Sequence, residues 1–195
     1  KHKVSEICNY IGYDVGVIGN HDIETGHSVF DRFVKGCNYP ILGANVISED
    51  TGEPYFEPYT LLYRSGIKIV VIGLVTPAIP QWVPKSIWQG LKFEDIKESA
   101  KKWIAYVKEN ENPDFIIGLL HSGMDEGIIT TEYKENSTRE TAEEVDGFDL
   151  ILYGHDHTSN MEEIENIDVV DVKTSDVDTI KNEIQEEYAD LLVVF

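Results

Sequence analysis

Gly16-Val-Ile-Gly-Asn-His-Asp-Ile-Glu-Thr25 is the stretch on which the reading of this chain turns. The apolar run Asp14–Ile18 reads as a strand, and it stops at Gly19-Asn20-His21-Asp22. Two later stretches have the same shape. Asp114–Leu120 ends in His121-Ser122-Gly123, and Asp149–Tyr153 ends in Gly154-His155-Asp156-His157. In an open α/β sheet, ligands bind outside the carboxyl ends of the strands. These strand ends, rich in imidazoles and oxygen donors, are therefore expected to face one crevice. A lone histidine after a strand is usually an ordinary loop residue, and Gly-Asn in a loop is usually turn chemistry. Gly-His-Asp-His alone reads as readily as a turn that happens to hold two histidines. It is the recurrence of one pattern at separate strand ends that points to a site.

The bulk properties bound the answer. A chain of 195 residues can bury a core, and one domain is the default. The formal net charge of −20, from 36 acids against 16 bases, argues against a surface for polymeric nucleic acid, which needs clustered Lys and Arg. It leaves room for a small anionic substrate, because bound metal ions can dominate a local field. Cys8 and Cys37 could pair only if the fold brings them together. No run is long and apolar enough to span a membrane. No signal peptide is visible, and an opening at Lys1-His2-Lys3 without methionine is compatible with a leader having been removed.

Outward from the opening stretch, strands and helices alternate. Residues 4–12 read as a helix ended by Gly12, and Thr25–Val34 as another with Val29, Phe30 and Phe33 on one face. Pro40–Val46 is a strand, Ser48–Pro58 a polar loop, and Thr60–Arg64 with Ile67–Val75 a hairpin across Ser65-Gly66. Pro77–Gly90 is a long loop whose Trp82 and Trp88 either seal the core edge or wall a pocket. Phe93–Asn110 is the clearest helix, with the stripe Ile96, Ala100, Trp103 and Val107. Met124–Ser137 is polar and loop-like, and Thr138–Val145 is a short helix. Met161–Lys173 is one or two strands. A final helix opens at Ser175-Asp-Val-Asp178 and buries Val177, Ile180, Ile184, Tyr188 and Leu191.

Four of the six histidines lie in the strand-end loops. Neutral imidazole with oxygen donors suits Zn, Mn, Fe, Co or Ni. His155 and His157, two apart, share a face if the segment is extended. Two metals roughly 3.5–4 Å apart can generate hydroxide and clamp both oxygens of an in-line phosphoryl displacement. A further, uncoordinated histidine could protonate the leaving oxygen.

At these residues the chain resembles the calcineurin-like metallophosphoesterases. That family's ordered motifs are Asp-x-His, Gly-Asp, Gly-Asn-His-Asp/Glu, a lone His after a strand, and Gly-His-x-His. The last three are present as Gly19-Asn-His-Asp22, His121 and Gly154-His-Asp-His157. Pro40-Ile-Leu-Gly-Ala-Asn45 and Gly73-Leu-Val-Thr76 resemble the 5′-nucleotidase and 2′,3′-cyclic-nucleotide phosphodiesterase branch, over Tyr13 to Thr158. The resemblance implies an α/β fold, a layered sandwich with metal-ligand loops at the carboxyl ends of its strands. It implies two divalent metal ions (Mn, Zn, Fe, Co or Ni), with Asn20, His121 and His155 on one and His157 on the other. His21 would be the uncoordinated histidine, and Glu24, with Asp22 as the alternative, the acid that orients it. A metal-bound hydroxide would attack a small phosphorylated substrate, of the nucleotide kind. An exported or periplasmic location is implied in the same way. His2 and His27 match nothing in the pattern and read as surface residues.

The Asp-x-His and Gly-Asp motifs, which the resemblance places before Lys1, are absent from this sequence. One site therefore has three ligands and the other has one. Residues 1–173 are expected to form the catalytic domain, N-terminally incomplete, and 174–195 a C-terminal helix and tail leading toward a linker. Two other readings stay open: a binding or scaffold protein that keeps the fold without catalysis, and an inactive metal-poor remnant. Retention of His21 speaks for the enzyme.

Overall fold

The computed structural model describes residues 2–165, 167–171 and 193–194. The helix expected from Ser175 to Leu191 lies outside the described residues. In chain order the helices are α1 (Lys3–Ile11), α2 (Asn20–Glu24), α3 (His27–Gly36), α4 (Ile79–Trp82), α5 (Ile96–Asn110) and α6 (Thr138–Glu144). The strands are β1 (Val15–Val17), β2 (Ile41–Leu42), β3 (Val46–Ser48), β4 (Tyr59–Arg64), β5 (Ile67–Val75), β6 (Leu91–Phe93), β7 (Phe115–His121), β8 (Leu150–Gly154), β9 (Met161–Ile164), β10 (Ile167–Asp171) and β11 (Val193–Val194).

Two sheets lie face to face. The larger runs β4-β5-β7-β8-β10-β9, and the smaller runs β11-β1-β2. β5, β7, β8 and β10 are parallel, with antiparallel β4 and β9 at the edges. Period-two alternation sorts the central strands into two faces. Ile69 and Val71 of β5, Ile117 and Leu119 of β7, and Leu150 and Leu152 of β8 meet Val15, Val17 and Leu42 of the small sheet. Val70, Ile72, Leu74, Ile116, Leu120, Ile151 and Tyr153 face α5 and α6. Buried on both faces, these strands read in sequence as nearly continuous apolar runs. Behind the small sheet, Ile18, Ile23, Phe30 and Ile41 form a further core with the inner sides of α1 and α3. The result is a mixed α/β sandwich of helix, sheet, sheet and helix layers.

Close contact of the sheets depends on Gly73. A Cβ there would stand 2.2 Å from Leu42 Cβ. The register then sets the site. Val75 of β5 lies beside His121 of β7, and His121 lies beside Gly154 of β8. These strands therefore end level, and the loops that follow leave from one edge.

Several local expectations change. The helix expected over Thr25–Val34 is α3, shifted to His27–Gly36, and the loop expected before it is the short helix α2; Gly26, at φ 78°, breaks the chain between them. The long loop after β5 holds the single turn α4 and then β6, which pairs with β3. α5 starts at Ile96 rather than Phe93, because the Asp95 side chain accepts from Glu98 N at 3.1 Å and caps it. On α5 the buried stripe includes Ile104, while Trp103 is only partly covered. Met161–Asp171 is two antiparallel strands.

Neither spare histidine is a plain surface residue. His27 is half-buried against Phe30, and its Nε2 lies 2.9 Å from the Gln89 carbonyl. His2 is half-buried with its ring edge on Phe33. The cysteines do come together. Asn9, next to Cys8, donates to Gly36 O and accepts from Asn38 N, each at 2.8 Å, on either side of Cys37. Both remain free thiols, and burial pushes the Cys37 thiol up.

Candidate metal and active site

Asn20 opens α2 and is buried at 4% exposure. Its Oδ1 lies 2.9 Å from His121 Nε2 across the sheets, and its Nδ2 donates to Glu24 Oε1 at 3.4 Å. The other oxygen of Glu24 lies 2.8 Å from His21 Nδ1. Positions three and four apart on a helix are neighbours, so one carboxylate at position 24 reaches both 20 and 21. A polar chain thus runs His121, Asn20, Glu24, His21, from the buried interior to an imidazole whose side chain is 76% exposed. Asp22, the alternative orienting acid, has another task. Its Oδ2 accepts from Gly19 N at 2.9 Å and closes the entry to α2. Burial raises its pKa, against the lowering effect of that N–H and of His21.

His121 is packed so tightly that a Cβ on Gly19 would stand 2.9 Å from its Cε1. Burial first, and then the nearby His155, His21 and His157, push its pKa down to about 3. The ring is therefore neutral at pH 7, as a metal ligand must be. Its Nδ1 is sealed from solvent and has no hydrogen-bond partner among the described residues.

The His121 and His155 ring centroids lie 5.3 Å apart, and the Trp82 indole lies 5.8 Å from His155. His155 Nε2 is 3.1 Å from Glu135 Oε1. The backbone is strained here, with φ 130° at His155 and φ 57° at His157, neither a glycine. Asp156 between them anchors the turn. It accepts from Met124 N at 2.9 Å and from Thr158 Oγ1 at 2.9 Å. Burial pushes its carboxyl up, but these bonds outweigh burial and hold it below the usual carboxylate range. His157 is exposed. With positive φ at both histidines the segment is not extended, so the alternation of an extended strand does not set where these two imidazoles point.

The structure thus brings Asn20, His121 and His155 together, with Glu24 and His21 joined through Asn20. His157 is close enough to act on His121 electrostatically. Among the described residues, no three His, Cys, Asp or Glu side chains form a ready metal cage. The donors that are present still suit an ion. Two donors each about 2.1 Å from a shared cation at adjacent positions stand about 3 Å apart, and Asn20 Oδ1 and His121 Nε2 stand 2.9 Å apart.

The two indoles differ in place: Trp88 both packs on the core and lines a cleft, and Trp82 stands beside His155. Trp88 seals the core, with its Nε1 donating to Val83 O at 2.8 Å. Trp82, 39% exposed, flanks His155. A cleft of about 740 Å³ opens beside Trp88, Phe93 and Tyr133 and includes none of the histidines. Glu135 escaped the sequence reading. It sits in a polar run without periodicity, and only the folded loop brings it to His155.

The chain belongs to the calcineurin-like phosphoesterase family, whose model matches residues 2–159. It is 33% identical over 165 residues to the trifunctional nucleotide phosphoesterase protein YfkN of Bacillus subtilis, covering 80% of this chain and 11% of that protein. It is 41% identical over 113 residues to a 5′-nucleotidase of Vibrio cholerae, covering 58% of this chain and 20% of that one. The crystal structure of calcineurin-like phosphoesterase YfkN from Bacillus subtilis superposes with a TM-score of 0.75 at 28% identity, over 87% of this chain and 57% of that chain. The chain spans 11% and 20% of the length of these two curated relatives.

Proposed function

We propose that this chain supplies catalytic machinery for a two-metal phosphoesterase acting on phosphate esters of nucleotides. The observation that carries the reading is the polar chain His121–Asn20–Glu24–His21, which couples a buried neutral imidazole to an exposed one. In this reading Asn20, His121 and His155 hold one divalent ion and His157 contributes to a second. When bound, such ions supply Lewis acidity that polarises a phosphoryl oxygen and neutralises developing charge.

The chain's own residues do the rest. Glu24 accepts from His21 Nδ1 and fixes the ring, leaving Nε2 to serve the substrate. His21 Nε2–H hydrogen-bonds a phosphoryl oxygen and delivers a proton to the departing oxygen. Asn20, held by Glu24, keeps its Oδ1 aimed at His121. Trp82 shields one side of His155 from water. The nucleotide substrate class follows from the names of the relatives, and monoester and diester are both within the branch that the sequence resembles. Residues 1–173 would form the catalytic domain, with Val193–Val194 pairing beside β1 in its small sheet.

The test is His21→Asn. Turnover of a nucleotide monoester or of bis(4-nitrophenyl) phosphate, with Mn²⁺ supplied, is expected to fall roughly 10²–10⁴-fold, with metal per chain unchanged. Undiminished turnover would remove His21 from the mechanism. A metal-loaded wild type inert toward both monoesters and diesters would favour a binding protein on the same fold.

A further inference from the structure

Glu135 is more firmly held than a loop acid needs to be. Its N–H donates to Ile128 O at 2.8 Å, and its carbonyl accepts from Ser122 Oγ at 2.9 Å. Gly127, at φ 78°, brings the chain so near that a Cβ would stand 2.6 Å from Glu135 Oε2. The side chain is only 15% exposed. Oε2 accepts from Ile128 N at 2.7 Å, and Oε1 stands 3.1 Å from His155 Nε2. Among the described residues no Lys or Arg pairs with it; Lys134, its neighbour, is engaged by Glu140.

These facts constrain the imidazole. An ionised carboxylate only accepts hydrogen bonds. A largely buried one without a Lys or Arg must be satisfied by N–H groups, and the two it meets are Ile128 N–H and His155 Nε2. The proton of a neutral His155 ring therefore belongs on Nε2, which leaves Nδ1 bare. A ring that ligates a metal through one nitrogen characteristically donates its other N–H to a carboxylate, which fixes tautomer and orientation. Ser122 directly follows His121, so the anchor of Glu135 also ties the His121 loop to the His155 loop.

We infer that Glu135 is the positioning residue for His155: it holds the ring in the Nε2–H form and presents Nδ1 to a divalent cation. This rests on the reading of Asn20, His121 and His155 as ligands of one ion. Glu135 would touch neither substrate nor metal.

Two measurements on the 195-residue chain test it. The first is the ¹⁵N spectrum of His155 in chelator-treated protein, for wild type, Glu135→Ala and Glu135→Gln, with far-UV circular dichroism as the check on folding. Wild type is expected to show the Nε2–H tautomer and Glu135→Ala a mixture. Glu135→Gln, which keeps the shape and one acceptor oxygen, should fall between and guards against collapse of the loop. The second is calorimetric titration with Mn²⁺, where Glu135→Ala should bind about 10–100-fold more weakly. Unchanged His155 signals in Glu135→Ala would overturn the inference. So would loss of a whole equivalent of Mn²⁺ with the tautomer intact, which would make Glu135 a ligand itself. A wild type that binds no Mn²⁺ would sink the hydrolase reading, and the metal-free spectra would still decide the role of Glu135.

Discussion

The two histidine turns of this molecule are built in opposite ways. In Asn20–Glu24 the bonds are local but for the one from Asn20 to His121: Gly19 N to Asp22, Asn20 to Glu24, and His21 to Glu24 all lie within four residues. In His155–His157, apart from the bond of Thr158 to Asp156, they are distant: Glu135 is 20 residues from His155, and Met124 is 32 from Asp156. The local turn needs no positive φ after Gly19, whereas the distant one holds two non-glycine residues there. A helical turn can position side chains from its own geometry. A strained turn persists only when its surroundings over-determine it.

The sharpest way to break this comparison is His21→Asn, which leaves every distant bond in place and should cost the most turnover. Next is Gly19→Ala. Gly19 has φ −107°, so alanine brings no backbone strain, but its Cβ would press on His121 at 2.9 Å. Displacing that ring is expected to reduce turnover about 100-fold and to weaken Mn²⁺ binding. Wild-type kinetics in Gly19→Ala would show that His121 tolerates movement and that the tight approach is only packing. Glu24→Gln sharpens the local side. It keeps the shape and removes the charge facing His21, so turnover should fall roughly tenfold with metal content retained. A variant that loses metal instead would move Glu24 from orienting His21 to holding Asn20.

The smallest effect at neutral pH is on stability. His121 has its pKa pushed from 6.5 to about 3. As pH falls below 6.5, the unfolded chain takes up this proton before the folded one does. The contribution of the neutral ring is therefore whole above about pH 6.5 and is lost progressively as pH drops toward 3. Urea titrations of metal-free protein between pH 7.5 and 4.5 should show a steeper loss in wild type than in His121→Gln. Parallel curves would mean that the ring titrates normally in the folded state.

Much of the fold was legible because its strands are buried on both faces. β5, β7 and β8 announce themselves as apolar runs, and β7 and β8 end where the glycines and histidines begin. The meeting of His121 with His155 was legible for the same reason, since parallel neighbours of one register end at one edge, whereas Asn20 follows β1 of the small sheet and reaches them only because the two sheets pack face to face. The His21–Glu24 bond follows helical spacing. Less legible was the start of α2 at Asn20, because a five-residue helix has too little periodicity to show. β6 was also hidden. Its last residue, Phe93, reads as the beginning of a helix, and Leu91-Lys92 carries no signal of its own until β3 pairs with it.

The sequence by itself determined the alternation of strands and helices, the strand ends that carry the histidines, and the family to which those motifs point. Local spacing and apolar runs encode such features directly. Tertiary structure alone decided that Trp82 flanks His155 while Trp88 seals the core, that Asp22 closes a helix entry while Glu24 reaches His21, and that Glu135 holds His155. The Trp82 and Glu135 outcomes depend on contacts between residues far apart in the chain, and the division between Asp22 and Glu24 on which local polar groups burial forces to find partners. Neither is written in any one stretch.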